Sequence, residues 1–139
     1  MAKSKYLAKK LLDHSLGVAA FAKPAAVYLA LFTSTAGLDD GTLTNEVQAG
    51  GYARKPVSFA AAADYLTGGK SLNSAQVNFD VAAADWNSMV GWAVMDALTG
   101  GNVLHWGEFP KYGAPADYKR VCAGDGFFVL QGDIVLSEV

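Results

Sequence analysis

The feature that most constrains the fold of this chain is a change in residue pattern at Pro24. From there onward the sequence consists of short apolar runs rich in Val, Phe, Tyr and Trp, separated by many of its 15 glycines. Such runs are typical of β-strands, and the glycines between them are typical of turns. About eight short strands with few helices predict an all-β, antiparallel two-sheet sandwich, in particular a jelly roll. The predicted strands lie at residues 27–33, 52–60, 72–80, 89–97, 102–109, 118–123, 126–131 and 133–138.

The predicted strands differ in how their apolar residues alternate. In the third strand Val77 and Phe79 alternate with polar residues, so one face is expected in the core and the other in water. The first and fourth strands carry apolar residues on both faces. Either the N-terminal helix or another subunit is therefore expected to cover the second face.

The segment before Pro24 predicts one short amphipathic helix. Ser4 is a suitable N-cap, and Gly17 stands where a left-handed C-cap belongs. Since 139 residues are typical of one domain, we expect a single domain with a helical arm at 1–23 and a β-sandwich at 24–139. The leucines that recur at near-helical spacing are Leu7, Leu11, Leu12 and Leu16.

Charge is distributed unevenly along the chain. The first 23 residues carry five lysines against Asp13 alone, which gives +4, whereas the remainder carries −6. Such an arm suits a second copy, another acidic protein or phosphates, although a solvated helix face has the same composition. Only 17% of the residues are charged and 52% are hydrophobic, which favours burial against a partner subunit. We therefore expect a homodimer or homotrimer.

The tetrapeptide Leu-Thr-Gly-Gly occurs twice, at 66–69 and 98–101. Because glycine adopts positive φ without strain, the second copy predicts a tight hairpin at Gly100-Gly101, between two strong strands. The first copy is interpreted as an independent Gly-Gly turn. The stretch from 35 to 51 is acidic and has no strand pattern, so it is predicted to be a long loop.

Catalytic and metal-binding patterns are mostly missing from the sequence. Cys122 is the only cysteine, and His14 and His105 are the only histidines, so no zinc site is expected. Residues 69–71 resemble the end of a phosphate-binding loop but lack its first glycine and a following helix. We expect no catalytic residue, no cofactor and no metal, while a pair of carboxylates that meets only in the fold remains open.

Aromatic residues offer a different kind of function. Stacking on sugars, as in a carbohydrate-binding β-sandwich, competes here with the more common core position of aromatic residues in strands. The candidates are Tyr52, Trp86, Trp92, Trp106 and Tyr112. A sequence pI near 5.5 lacks the basic footprint of direct nucleic-acid binding. No apolar run has the length of a membrane span, and Asp13 interrupts what would otherwise look like a signal peptide, so an intracellular product is expected.

Four blocks of sequence carry a resemblance to a known family. They are residues 4–14, residues 24–33, Glu46 with the Gly-Gly-Tyr-Ala-Arg run at 50–54, and residues 96–107. These blocks resemble small structural proteins of tailed bacteriophages, whose members often carry a tail-fibre label. Within that family the sequence looks closest to jelly-roll capsid cement, or decoration, proteins. The shared motifs include no catalytic residue.

The resemblance implies a role in the virion. A cement protein would bind the outside of an HK97-type icosahedral shell across the joints between major capsid subunits and stabilise it. Its partners would be the major capsid protein and further copies of itself, with no membrane and no direct nucleic-acid contact. The location would be the capsid exterior, after synthesis in the host bacterial cytoplasm. The alternatives are a tail fibre or baseplate subunit and a carbohydrate-binding module.

The candidate interface combines the basic arm with apolar strand faces. We predict that the arm contacts a partner rather than its own sandwich, against the alternative that Leu7, Leu11 and Leu16 cap an open end of the sandwich. The candidate interface residues are Lys3, Lys5, Tyr6, Leu7, Lys9, Lys10, Tyr28, Phe32, Trp92, His105 and Trp106.

Overall fold

The computed structural model describes residues 2–138, which form antiparallel β-structure with one α-helix. The helix is α1, Lys5–Ser15, and a short 3₁₀ turn, η1, spans Leu38–Asp40. The strands are β1 Ala2–Lys3, β2 Val27–Phe32, β3 Lys55–Val57, β4 Ala63–Tyr65, β5 Gly68–Leu72, β6 Val77–Asn78, β7 Asn87–Ser88, β8 Gly91–Met95, β9 Val103–Glu108, β10 Arg120–Val121, β11 Phe128–Val129 and β12 Val135–Glu138.

The strands are divided among four antiparallel sheets. The largest has five strands in the order β1-β9-β8-β2-β3, and a three-stranded sheet has the order β12-β5-β4. Two short pairs, β10 with β7 and β11 with β6, form the remaining two sheets of the described residues. The prediction of an antiparallel all-β fold with one short helix is confirmed. A jelly roll of two continuous sheets stays a prediction, because the pairing is broken into these smaller sheets.

The main core lies against one face of the five-stranded sheet. Leu29 and Leu31 of β2 point to this face, together with Trp92 and Val94 of β8. They pack against buried residues of the shorter strands and the connecting segments, namely Val47, Val57, Val77, Phe79, Ala82, Trp86, Met89, Val121, Phe127, Val129 and Ile134. Burial of this apolar surface is the dominant favourable contribution to folding.

The opposite face of the same sheet is also buried, as the double-sided apolar pattern of β2 and β8 predicts. Ala30 and Phe32 lie there with Ala93 and Met95, and Leu38 of η1 covers them. The acidic loop is therefore folded back onto the sheet and supplies the cover. The sequence predicted the N-terminal helix or another subunit as the cover, whereas the structure places Leu38 of this loop there.

The helical arm begins with β1, which is an edge strand of the five-stranded sheet. Ala2 and Lys3 form β1 and pair with Trp106 and His105 of β9. β1 has only two residues, so no strand pattern is visible for it in the sequence. The Ser4 hydroxyl accepts a hydrogen bond from the Leu7 amide at 3.1 Å, which confirms the predicted N-cap. The division into an arm at 1–23 and a sandwich at 24–139 stays a prediction, and Met1 and Val139 lie outside the described residues.

The two Leu-Thr-Gly-Gly copies fold differently. Gly100 and Gly101 have φ values of 59° and 74° and lie in the loop between β8 and β9, so the predicted hairpin is confirmed. The prediction of a Gly-Gly turn at 68–69 is wrong. There the turn is formed by Leu66 and Thr67, and both glycines belong to β5, paired with Tyr65 and Asp64.

Each of the eight predicted strand segments contains an observed strand, although the observed strands are shorter. Three strands, β1, β4 and β7, lie wholly outside the predictions, and β5 overlaps them only at Leu72. β4 is exposed along its whole length, and Asn87 of β7 has a φ of 69°. Such strands carry no apolar alternation from which a sequence pattern is built.

Candidate interaction surfaces

A buried ion pair organises residues 46–54. The Arg54 Nε donates to Glu46 Oε2 at 2.8 Å, and its Nη2 donates to Glu46 Oε1 at 2.8 Å. The Tyr52 hydroxyl donates to Glu46 Oε2 at 2.6 Å and accepts the Leu31 amide at 3.1 Å. This geometry is the bidentate arginine–carboxylate fork, which gives both strength and a fixed orientation.

The same arginine reaches the hairpin loop between β8 and β9. Its Nη1 donates to the carbonyl oxygens of Ala97, at 2.8 Å, and Gly100, at 2.7 Å. Asp96 closes the base of the loop by accepting the Asn102 amide at 2.7 Å. Two blocks that carry the family resemblance, 46–54 and 96–107, therefore meet in space around Arg54.

Gly51 lies in the same segment as the Glu46–Arg54 network and needs to be glycine for two reasons. Its φ is 85°, and a Cβ at this position would lie 2.7 Å from the Val81 carbonyl oxygen. Only glycine satisfies both conditions without strain. The Gly-Gly-Tyr-Ala-Arg run is thus explained by backbone approach at Gly51 and by hydrogen bonding at Tyr52 and Arg54.

Burial and the contacts with Glu46 determine the pKa values of Tyr52 and Arg54. Burial, assisted by the hydrogen bond to Glu46, raises the pKa of Tyr52 far above its ordinary value. Burial lowers the pKa of Arg54, but the hydrogen bond and the charge of Glu46 outweigh the burial and raise that pKa overall. Tyr52 is therefore a neutral donor and Arg54 a permanent cation, which suits a structural role.

The predicted interface residues of the arm have different surroundings. Lys9 and Lys10 are exposed, and the Lys10 ammonium lies 5.8 Å from the centroid of the half-buried Tyr6 ring. Lys3 pairs with Glu138 at 2.8 Å and Lys5 pairs with Asp40 at 2.6 Å, so part of the basic charge is used within the chain.

Three predicted interface residues are buried within the chain and are not available to a partner in this structure. Leu7 is 5% exposed, as the capping alternative expects, whereas Leu16, which that alternative also buries, is 73% exposed. Phe32 belongs to the second core and Trp92 to the main core. The sequence shows that these side chains need burial, but only the fold shows that this chain itself supplies it.

The remaining predicted interface residues, Tyr28, His105 and Trp106, are half-buried on the five-stranded sheet. The His105 Nδ1 and the Trp106 Nε1 are buried without a hydrogen-bond partner among residues 2–138. β1 covers both positions at the sheet edge, with Lys3 opposite His105 and Ala2 opposite Trp106.

His105 makes the stability of this edge depend on pH. Burial lowers the pKa of His105 below its ordinary 6.5, while the charge of Glu138 raises it and that of Lys3 lowers it. As the pH falls below neutral, the unfolded chain therefore binds more protons at His105 than the folded chain does. The free energy of unfolding then decreases, by at most about 1.4 kcal/mol for each pH unit of acidification at this residue. In His105→Gln, we expect a shallower decrease between about pH 7.5 and about pH 5.5 in urea denaturation.

Urea denaturation of the wild type over the same pH range is the reference for this experiment. Equal slopes for the wild type and His105→Gln would contradict the assignment to His105.

An apolar groove of about 700 Å³ is lined by residues of the segments 108–119 and 127–134, together with Met89 and Trp92. Its floor consists of the buried Met89, Trp92 and Ile134. Phe128 and Leu130 line it and are half exposed, at 50% and 49%. This combination of a buried floor and exposed apolar walls is typical of a surface that binds a partner.

Most residues of this groove were not predicted from the sequence as surface residues that bind a partner. Of the five aromatic residues considered for sugars, Tyr52, Trp86 and Trp92 lie in or against the main core, Trp106 is half-buried, and only Tyr112 is exposed at the groove. The available signal was the run at 127–130, in which both faces of the strand are apolar. Phe127 and Val129 enter the core, whereas Phe128 and Leu130 point outward.

Residues 2–138 contain no group of three or more His, Cys, Asp or Glu side chains arranged to hold a metal ion. No helix among them has the length and hydropathy needed to cross a membrane.

The antiparallel sheets, the buried polar residues that hold loops in place and the exposed apolar surfaces define this chain as a small all-β protein. A family model described as Podophage GP4 fiber I protein gp80 matches residues 2–137, and the chain belongs to this family. It is therefore a phage structural protein and part of a virion, and the resemblance to tailed-phage structural proteins is confirmed. A comparison with curated proteins gives no match.

Proposed function

We propose that this protein is a structural subunit of the tail fibres of a podophage. The observation that carries the proposal is the family description, which names a fibre protein and covers residues 2–137. A fibre subunit acts by keeping its shape and burying surface against its neighbours.

Two features of the structure support this role. The residues that carry the family resemblance build an internal clamp, with Arg54 joined to Glu46 and to the 96–102 loop. The exposed apolar side chains include two groups at separate places, one on the arm and one around the groove. Large exposed apolar side chains in a small protein favour contacts with other subunits.

For the fold, the proposal is a sandwich in which the five-stranded sheet faces the shorter sheets. The main core supports it, because Leu31 and Trp92 of the large sheet pack with Val77, Val121 and Val129 of the short strands. A jelly roll is the member of this architecture that the strand number favours.

The family description also changes the preferred place in the virion. The sequence resemblance points to cement on the capsid exterior, bound to the major capsid protein, whereas the description names a fibre. The fibre role is therefore the main proposal, and capsid cement is its alternative.

Purified virions distinguish these roles. We expect quantitative mass spectrometry of intact virions to give this protein in numbers on the order of tens per particle, set by the low symmetry of a tail. Tailless heads from a tail-assembly mutant should lack it. The major capsid protein, measured in the same samples, is the internal standard.

Hundreds of copies that remain with tailless heads would contradict the fibre proposal and support cement. Gold-labelled antibodies against the protein give an independent location, since label is expected on the tail and not on the shell.

A further inference from the structure

We propose that the arm of one copy docks into the apolar groove of a second copy. The arm patch consists of Lys9, Leu12, Leu16 and Val18. The groove is the 700 Å³ depression lined by Phe128 and Leu130. The contact joins two different surfaces of identical chains, so it is a heterologous interface.

The arm patch is apolar and uncovered. Leu12, Leu16 and Val18 are 59%, 73% and 72% exposed. At 3.6 residues per turn, Lys9, Leu12 and Leu16 lie within roughly 60° of one another on the helix side opposite the buried Leu7. The helix therefore has one apolar side that its own sheet covers and a second that its own sheet leaves open.

Charge favours the groove as the place where this patch is buried. Glu108, Asp117 and Asp133 line the groove, against Lys119 alone. The Lys119 ammonium lies 6.0 and 5.9 Å from the ring centroids of Phe127 and Phe128, and neighbouring Lys111 lies over the Tyr118 ring.

The arm carries the opposite charge. Lys9 and Lys10 form no ion pair with residues 2–138, in contrast to Lys3 and Lys5. A basic apolar helix and an acidic apolar groove are complementary in both respects.

The arm patch and the groove of one chain are separate in the structure, which favours a second copy as the partner. Ser4 donates its amide to the Leu104 carbonyl, so α1 begins at the Val103 end of β9. Glu108, at the groove, is the last residue of the same strand. A six-residue strand spans roughly 17 Å. Leu12, Leu16 and Val18 stay exposed in the structure, so the arm does not occupy the groove of its own chain.

A heterologous contact closes into a ring, such as a trimer, or continues as a filament. This inference concerns the purified protein and does not depend on its place in the virion. Its failure would leave the fibre proposal intact, and failure of the fibre proposal would leave the self-association intact.

The test uses two full-length double variants. The arm variant is Leu12→Glu with Leu16→Glu, and the groove variant is Phe128→Asp with Leu130→Asp. Each places negative charge in one surface only, and two negative surfaces cannot complement each other. Sedimentation at roughly 50 µM, above the dissociation constant of a micromolar contact, should show assemblies for the wild type and monomers for each variant.

An equimolar mixture of the two variants is the decisive sample. The mixture retains one intact arm and one intact groove, so we expect dimers that cannot extend further. A control variant, Val81→Glu, adds charge to a residue that is 63% exposed outside both surfaces and should assemble like the wild type.

Far-ultraviolet circular dichroism and thermal unfolding establish that each variant is folded. A single Lys9→Glu change leaves the apolar contacts in place and should weaken assembly about tenfold at low salt, and less when salt screens the charge. A monomeric wild type, assembly of either double variant, or a mixture that stays monomeric would overturn the proposal, the last result indicating an arm-to-arm contact.

Discussion

Replacing Arg54 with alanine is expected to lower the free energy of unfolding by about 3–5 kcal/mol. The change removes both hydrogen bonds to Glu46 and leaves that carboxylate largely buried without its counter-charge. It also removes the donor that holds the carbonyl oxygens of Ala97 and Gly100. Urea denaturation followed by intrinsic fluorescence measures the loss.

The neighbouring residue offers a matched control for Arg54. Lys55 pairs with Asp80 at 3.0 Å, but the Asp80 side chain is mostly exposed, so Lys55→Ala should cost less than about 1 kcal/mol. Arg54→Lys keeps the charge and loses the fork, and its stability should fall between that of the wild type and that of Arg54→Ala. An Arg54→Ala protein as stable as Lys55→Ala would show that the network contributes little.

Replacing Trp86 with alanine is expected to cost about 3–5 kcal/mol, because a large buried ring leaves a cavity that the core fills only in part. Trp86 is 1% exposed, and its indole Nε1 donates to the Gly50 carbonyl at 3.0 Å. The ring also contacts Tyr52 edge-on, with a centroid distance of 5.7 Å. Thermal unfolding of the variant should begin well below that of the wild type.

Two further substitutions separate packing from hydrogen bonding at Trp86. Trp86→Phe retains an aromatic ring but loses the indole hydrogen bond to the Gly50 carbonyl, which still accepts the Ala83 amide at 3.0 Å. A smaller loss of about 1–3 kcal/mol, from the smaller ring and the lost hydrogen bond, is therefore expected. Tyr112→Ala removes an aromatic residue that is 64% exposed and should change stability by less than about 0.5 kcal/mol. Equal losses for Trp86→Ala and Tyr112→Ala would contradict the core position of Trp86.

The two largest effects are coupled through Tyr52. Its hydroxyl donates to Glu46, and its ring contacts Trp86. Substitutions at Arg54 and Trp86 therefore disturb one connected unit, and their combined loss is not expected to equal the sum of the separate losses. This connection makes the 46–54 segment a structural centre of the fold.

Patterns with strong local causes were predictable. The N-cap at Ser4 and the positive φ values at Gly100 and Gly101 depend on a few neighbouring atoms, so residue type is enough to predict them. The double-sided burial of β2 was predictable from its composition. The turn at Leu66 and Thr67 was not, because cross-strand pairing with β5 places the glycines in the strand.

Long-range contacts explain what sequence reasoning missed. Asn73 is 1% exposed, and it bonds the Ala75 and Leu130 carbonyls and the Ile134 amide. Leu130 and Ile134 lie some sixty residues away, so no local pattern marks Asn73 as a core residue. The groove has the same cause, since its floor and walls are brought together from separate segments of the chain.

The amino-acid sequence by itself determined the antiparallel β class, the helix with its cap, the confirmed hairpin and the phage structural family, because these depend on local conformation or on the blocks of residues that carry the family resemblance. The tertiary structure decided which apolar faces remain open. Leu7, Phe32 and Trp92 are covered by their own chain, whereas Leu12, Leu16 and Leu130 are not. A hydrophobic side chain favours burial wherever it lies in the sequence. Only the packing of distant segments determines which surface buries it.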